Sequence, residues 1–376
     1  MGSHLRVALA GCGKISQKYG ECLSDPHRQG RLAAVCDLDR ERATQFAEQF
    51  GVPWYSSIVE MMESIGSGID VVVVLTPSGA HADNICELAE LGARNIVVEK
   101  PIALRLDDGE RAIDTCERYG SRLFVVKQWR YNRSVQALRR AYEQGRFGKI
   151  SLLTTRLRWC RPQQYYDEAR WRGTWAHDGG VLTNQACHAI DLLLWFGGEV
   201  ESVYALCETR LANIEAEDTA VAVIRFANGT LGALEATTAV RPKNLEASFS
   251  VLGEGGSVEL SGMSVDTIRS WRFERPTFED ETIQHSSNEN SARQKSHAHA
   301  AYLDEIFACV REKREGGVDG RQAIKTLRLI HALYESDWLR SPVSLNSGEY
   351  EHSRLGREAR LSHEENGWRS EAVRTE

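Results

Sequence analysis

Residues Leu5–Ala10 (LRVALA) form a continuous apolar run that breaks at once into Gly11-Cys12-Gly13-Lys14-Ile15-Ser16. A short run with no polar alternation reads as a strand buried on both faces of a parallel sheet. Gly11 permits a tight turn. Gly13 lets a phosphate approach the backbone, where the free N–H groups and dipole of the next helix favour an anion. Lys14 and Ile15 belong to the same turn, and Ser16 replaces the third glycine of the usual pattern. Strand, glycine turn and helix in this order predict a dinucleotide site.

The alternation continues. A strand over 32–36 ends at Asp37, at the spacing of a carboxylate that binds the adenosine ribose diol and repels a 2′-phosphate. This favours NAD over NADP, with Arg40 the residue that softens the preference. Asp37 and Asp39 also suit capping of a helix over Arg40–Phe50. Residues 70–75 (DVVVVL) make the clearest buried strand, followed by Thr76-Pro77-Ser78-Gly79-Ala80-His81. Thr76, Pro77 and His81 thus fall at the carboxyl edge of the sheet, where ligands bind.

A helix over 82–91 and a strand, Asn95–Val98, lead to Glu99-Lys100-Pro101. Charge at the end of a buried strand is costly unless used. Pro101 restricts the backbone of Lys100 and aims its ammonium at the crevice. A loop ion pair explains the charges but not their position. A helix over Leu106–Tyr119 and a strand over 123–126 complete a doubly wound α/β (Rossmann) domain at residues 5–126.

From Lys127 the period changes. Residues 127–133 (KQWRYNR) are dense in donors and aromatics. Period-two strands are predicted at 150–159, 200–210, Thr219–Phe226, 230–239, 247–253 and 256–260, with Asn228-Gly229 as a hairpin turn. They imply an α+β domain over 127–345. Its sheet is open and mostly antiparallel, with helices on one face and the other face free for subunit contact. Helices at 296–313 and Gly320–Leu339 return to the first domain. Residues 346–376 are polar and without period, and read as a mobile tail.

Within this half, HDGGVLTNQACHAIDLLLWF (177–196) predicts one helix from about 182 to 194, starting after Gly179-Gly180. Asn184, His188 and Asp191 then share a face. The loop before it holds Arg161, Tyr165 and Arg172, with Arg156 and Arg158 just upstream and Gln185 just downstream. Arginine forks suit carboxylate or phosphate, and aromatic faces suit a sugar or a base.

A formal net charge of −7 over 376 residues argues against nucleic acid or anionic lipid as a bulk partner. No apolar run reaches the roughly 18 residues of a membrane span. Nine scattered cysteines, without a C-x-x-C, suit reduced thiols in a cytoplasmic protein and predict no metal site.

Gly11–Ser16, Glu99-Lys100-Pro101 and the Gly179–Asp191 run together resemble the Gfo/Idh/MocA oxidoreductase family over residues 5–345. The resemblance implies NAD or NADP in the first domain, a sugar-like carbinol as substrate, Lys100 on the substrate hydroxyl and His188 as general acid/base. Asn184 stands where many relatives have aspartate. The Asn184-Gln185-Ala186 form, with Tyr165-Tyr166 and Trp171-Arg172-Gly173, is similar to the nucleotide-sugar branch. That branch oxidises C3 of a UDP-linked N-acetylated uronic acid. The branch implies Arg158, Arg161, Tyr165, Arg172, Asn184 and Gln185 on the substrate, and a homo-dimer or homo-tetramer. The alternatives are a dehydrogenase of a free sugar or inositol, a 3-keto-sugar reductase, and a non-catalytic nucleotide-sensing regulator.

Overall fold

The valine run enters a six-stranded, all-parallel sheet in the computed structural model, which describes residues 4–288, 297–348 and 350–357. Its strands are β1 (Leu5–Ala10), β2 (Gly30–Cys36), β3 (Trp54–Tyr55), β4 (Val71–Val74), β5 (Asn95–Val98) and β6 (Arg122–Val125), ordered β3-β2-β1-β4-β5-β6. The order reverses between β1 and β4, and that switch point opens the crevice at the carboxyl ends of the strands. Alternate residues of each strand face opposite cores. Val7, Leu9 and Val73 pack with α1 (Ser16–Ser24) and α2 (Arg40–Phe50). Ala8, Ala10, Val72 and Val74 pack with α3 (Ile58–Ile65), α4 (His81–Glu90) and α5 (Leu106–Tyr119). The strand β3 and the helix α3 are additions to the predicted order.

The second half contributes α6 (Arg133–Glu143), β7 (Ile150–Arg158), α7 (Gln163–Asp167), α8 (Val181–Asn184), α9 (Cys187–Gly197), β8 (Val200–Glu208), β9 (Thr219–Phe226) and β10 (Leu231–Thr237). Then follow β11 (Glu246–Gly253), β12 (Gly256–Ser261), β13 (Thr267–Phe273), α10 (Phe278–Asn288), α11 (His297–Glu312), α12 (Gly320–Leu339) and β14 (Val343–Ser344). The sheet runs β13-β12-β11-β7-β10-β9-β8-β14 and is antiparallel except at β7–β10. Two of its strands carry no clear period-two signal. The buried positions of β13, Ile268 and Trp271, fall three apart because the register with β12 shifts at Glu259/Leu260. The other, β14, has only two residues.

The helix α9 packs on β7 and β10, and α12 on β8, so one sheet face is covered. The other face exposes Leu206, Val221, Val223 and Leu231, with Leu206 opposite Val221 in register. Both C-terminal helices reach the first domain. Tyr302, Leu303, Ile306 and Phe307 of α11 bury the sheet face beside α1, and α12 lies on α5.

The predicted tail needs correction at its start. Residues 350–357 fold back onto α12: Tyr350 and Leu355 are buried, Ser353 bonds His331 Nδ1 at 2.7 Å, and Gly356 N–H donates to the Trp175 carbonyl. A polar segment packs here because it satisfies buried polar groups of α12, which hydrophobic period cannot reveal. Residues 358–376 lie outside the described residues. Among the described residues no helix is long and apolar enough to cross a membrane.

Candidate functional site

The carboxyl edge of the first sheet gathers the predicted dinucleotide residues. Gly11 follows β1 at φ +105°, and a Cβ there would lie 2.8 Å from the Leu75 carbonyl carbon. Only glycine lets the turn pass so close to the end of β4. Space is open around Gly13, with nothing within 4 Å of where its Cβ would stand. Lys14 and Ile15 complete that turn before α1. Asp37 braces it by accepting the Cys12 N–H at 2.7 Å, while Asp39, not Asp37, caps α2. A glycine turn with steric room at a helix start and an acid beside it fits an NAD pyrophosphate and ribose.

Thr76, after β4, donates to Asn84 Oδ1 at 2.7 Å, and Pro77 leads into α4. His81 is buried between the carbonyls of Thr76 and Pro101, tying the two loops together. Burial pulls its imidazole below the ordinary histidine value, against those two carbonyls.

Glu99 and Lys100 part company. The Glu99 carboxylate turns back to the Tyr19 hydroxyl at 2.8 Å. Lys100 crosses to the second domain. Its Nζ donates to the Asn184 backbone carbonyl at 2.6 Å and to Asn184 Oδ1 at 3.3 Å. The loop ion pair is therefore not formed, and the Lys100–Pro101 bond is cis.

The predicted single helix is broken. Its pieces α8 and α9 join at a wide turn, in which Ala186 N–H reaches back to the Val181 carbonyl. Such i→i+5 steps insert a residue into the helical register. The cavity between the domains is lined by Lys18, Lys100, Arg161, Tyr165, Asn184, Gln185, His188 and His299, with Trp129 and Trp159 among its walls. Asn184 and His188 share it, whereas Asp191 does not. Arg130 grips Asp191 bidentately at 2.7 and 2.9 Å, and Lys127 stands 3.6 Å away. Burial alone would raise the Asp191 carboxyl, but those two cations outweigh it and hold it below the usual carboxylate range. Asp191 thus anchors α9 under the site.

His188 is buried and stacks on Trp129, centroids 5.6 Å apart at 29°. Its Nδ1 finds no hydrogen-bond partner among the described residues. Burial, then the charges of Lys100 and Lys127, push its imidazole well below the ordinary histidine value. A histidine kept neutral beside an ammonium is equipped to accept a proton while the ammonium steadies negative charge.

The arginine candidates separate. Arg161 lines the cavity, stacked over Trp159 and Tyr165. Arg158 does not, because buried residues alternate along β7 and place Arg156 and Arg158 on the open face. There Arg158 is neutralised by Glu235 and Glu246. Arg172 holds the Tyr165 carbonyl and Glu168 outside the cavity.

Residues the motifs did not single out are Lys18, His299 and Asp178. Lys18 sits one helical turn after Lys14. His299 enters from α11, far along the chain, and no local signal marks it. Asp178 stands next to the glycine pair. Its Oδ1 accepts the Asn184 Nδ2 hydrogen at 2.6 Å and its Oδ2 accepts Gly173 N–H at 2.9 Å.

Two family models match the chain: the NAD-binding Rossmann fold of the GFO_IDH_MocA oxidoreductase family at residues 5–127, and its C-terminal alpha/beta domain at residues 139–345. The chain belongs to the Gfo/Idh/MocA oxidoreductase family. Among solved members, it is 38% identical to the WlbA dehydrogenase of Bordetella pertussis in complex with NADH and UDP-GlcNAcA. That match covers 92% of this chain and 98% of the other at a TM-score of 0.87. The WlbA dehydrogenase of Chromobacterium violaceum, with the same two ligands, matches at 37% identity, 92% and 96% coverage and a TM-score of 0.85. Myo-inositol dehydrogenase Hyg17 of Streptomyces leeuwenhoekii is 30% identical over 68% of this chain and 76% of its own length. As a Gfo/Idh/MocA member, the chain is an NAD-dependent dehydrogenase of the sugar and inositol class.

Behind the site, Glu217 is fully buried and accepts from Leu182 N–H and the Tyr334 hydroxyl. A Cβ on Gly180 would overlap it, so glycine is required there. Burial lifts its carboxyl to about 8, against those two hydrogen bonds. Because the folded-state value exceeds the unfolded one, the native state binds the extra proton. Its stability contribution is complete below the ordinary glutamate range and is lost as pH rises through about 8. Glu217→Gln, which cannot ionise, is expected to keep its melting temperature where wild type loses roughly 5 °C on alkalinisation. Calorimetry of both across that range checks this; parallel curves would remove Glu217 from the account.

Proposed function

We propose that this dehydrogenase oxidises the C3 hydroxyl of a UDP-linked N-acetylated uronic acid to the ketone. The observation that carries this reading is the cavity wall. Lys18 and Arg161 face it without a salt bridge among the described residues, and Arg161 lies against the flat faces of Trp159 and Tyr165. Asp266 also lines the cavity, and the two cations beside aromatic faces suit a ligand that is anionic and ring-bearing. The two WlbA neighbours support the same choice.

His188 acts as general base on the sugar hydroxyl, and Lys100 stabilises the alkoxide as the proton leaves. Asn184 holds Lys100 in place. Gly11, Gly13, Lys14, Ile15, Asp37, Thr76, Pro77, His81, Glu99 and Lys100 form the dinucleotide crevice within a domain of residues 5–126. NAD supplies the hydride acceptor when bound. Arg161, Tyr165, Asn184 and Gln185 contact the substrate, while Arg158 and Arg172 are left out by their positions. We place the homo-dimer or homo-tetramer contact on the open sheet face, where Leu206, Val221, Val223 and Leu231 form an apolar strip. The nine free thiols suit the cytoplasm.

A single-turnover assay tests the reading. NAD-loaded protein is mixed with UDP-N-acetylglucosaminuronate and, separately, with myo-inositol or free hexoses, and bound NADH is followed. Reduction with the nucleotide sugar alone is expected; reduction with inositol alone would move the protein to the inositol branch. Arg161→Ala is expected to raise KM for the nucleotide sugar roughly 10- to 100-fold with kcat little changed, the mark of a uniform binding contact.

A further inference from the structure

Asn184 has two chemically different ends. Its Oδ1 only accepts hydrogen bonds and its Nδ2 only donates. Lys100 can only donate, so it must face Oδ1, and an ionised carboxylate can only accept, so it must face Nδ2. The structure meets both demands: Lys100 Nζ lies 3.3 Å from Oδ1, and Asp178 Oδ1 lies 2.6 Å from Nδ2. Asp178 is itself held, because its second oxygen takes the Gly173 N–H at 2.9 Å. It is 3% exposed and does not line the cavity.

We propose that Asp178 is a positioning residue for Lys100: its carboxylate locks the Asn184 carboxamide in the one orientation that presents an acceptor to the ammonium. The proposal deepens the dehydrogenase reading and rests on Lys100 acting at the substrate. An ammonium has three N–H groups. Asn184 takes two of them through its backbone and side-chain oxygens, which leaves one for a ligand in the cavity.

Protonation undoes the lock. A neutral Asp178 can donate to Oδ1, and the reversed amide then turns its NH2 toward the Lys100 ammonium. The groups facing Asp178 are Lys100, Arg172, Tyr166, Asn184 and the Gly173 N–H. Burial lifts the Asp178 carboxyl to about 6, although Gly173, Lys100, Asn184 and Arg172 oppose that rise. The rate of oxidation therefore falls as pH drops through about 6. His188 is not the source of that limb, since it is held neutral well below its ordinary value.

The test is an exchange of the pair. Asp178→Asn leaves an amide that must turn its NH2 toward either Gly173 N–H or Asn184 Nδ2. It is expected to lower kcat roughly 10- to 100-fold and to remove the acid limb. The double variant Asn184→Asp/Asp178→Asn pairs every group again. The amide now at position 178 donates to the carboxylate now at position 184 and accepts from Gly173 N–H, while that carboxylate faces Lys100. A kcat clearly above that of D178N, short of wild type because Asn184 also meets the substrate, is expected, and the double variant carries the test if D178N does not fold.

A wild-type minus D178N infrared difference spectrum needs no substrate, and a protonated-carboxyl band should emerge on acidification. Wild-type kcat and acid limb in D178N, no recovery in a folded double variant, or no titrating band would each overturn the proposal. Failure of the nucleotide sugar to react would overturn only the substrate reading. The kinetic comparison then runs with whichever polyol is oxidised.

Discussion

Replacing Lys100 with methionine is expected to slow hydride transfer roughly 10³-fold while the Kd for NADH stays within a few-fold. Removing one donor that meets charge developing in the transition state costs on the order of 10²–10³ in kcat. Lys100 is that donor and also the local cation. It bonds Asn184 across the domain boundary, so its loss empties the point where the two halves meet at the cavity. A second effect follows from charge. After burial, Lys100 is the largest influence keeping His188 neutral. Without it the imidazole protonates at a higher pH than it does in wild type. Stopped-flow absorbance of NADH formation, with fluorescence titration of NADH, reads both quantities. A rate within tenfold of wild type would sink the assignment.

The second large effect is expected at His188. His188→Ala should cost about 10²–10⁴-fold in the oxidation step, the usual worth of a positioned base. The residual rate should rise with pH as bulk hydroxide takes over proton removal. Wild type should instead be flat from neutral pH upward, because burial, Lys100 and Lys127 keep His188 neutral there. Substrate binding should be weakened little if the imidazole acts mainly in the transition state, so kcat and kcat/KM fall together. A loss confined to KM would make His188 a binding residue.

Much of this site is legible in the chain because it lies beside strand ends. Gly11, Asp37, Thr76 and Lys100 each follow a buried apolar run, and a parallel sheet puts all such ends on one edge. The apolar period likewise locates α5, β9 and α12 to the residue, since each is long and patterned by burial on one side. The arginine cluster was ambiguous for a physical reason. Arg158 and Arg161 are three residues apart, yet the first belongs to a strand whose alternation turns it to the open face, and the second to the loop beyond it.

The chain alone therefore determined the fold class and the dinucleotide edge, because these follow from local period and from glycine, proline and charge at strand ends, while the pairing of Lys100 with His188 was implied by the family resemblance. Only the tertiary structure decided how the polar groups pair. The wide turn at Ala186 falls between Asn184 and His188, Arg130 and Lys127 claim Asp191, and Asp178 takes the far end of Asn184. Those choices depend on which donors and acceptors meet in three dimensions once water is excluded, and hydrophobic period carries no record of them.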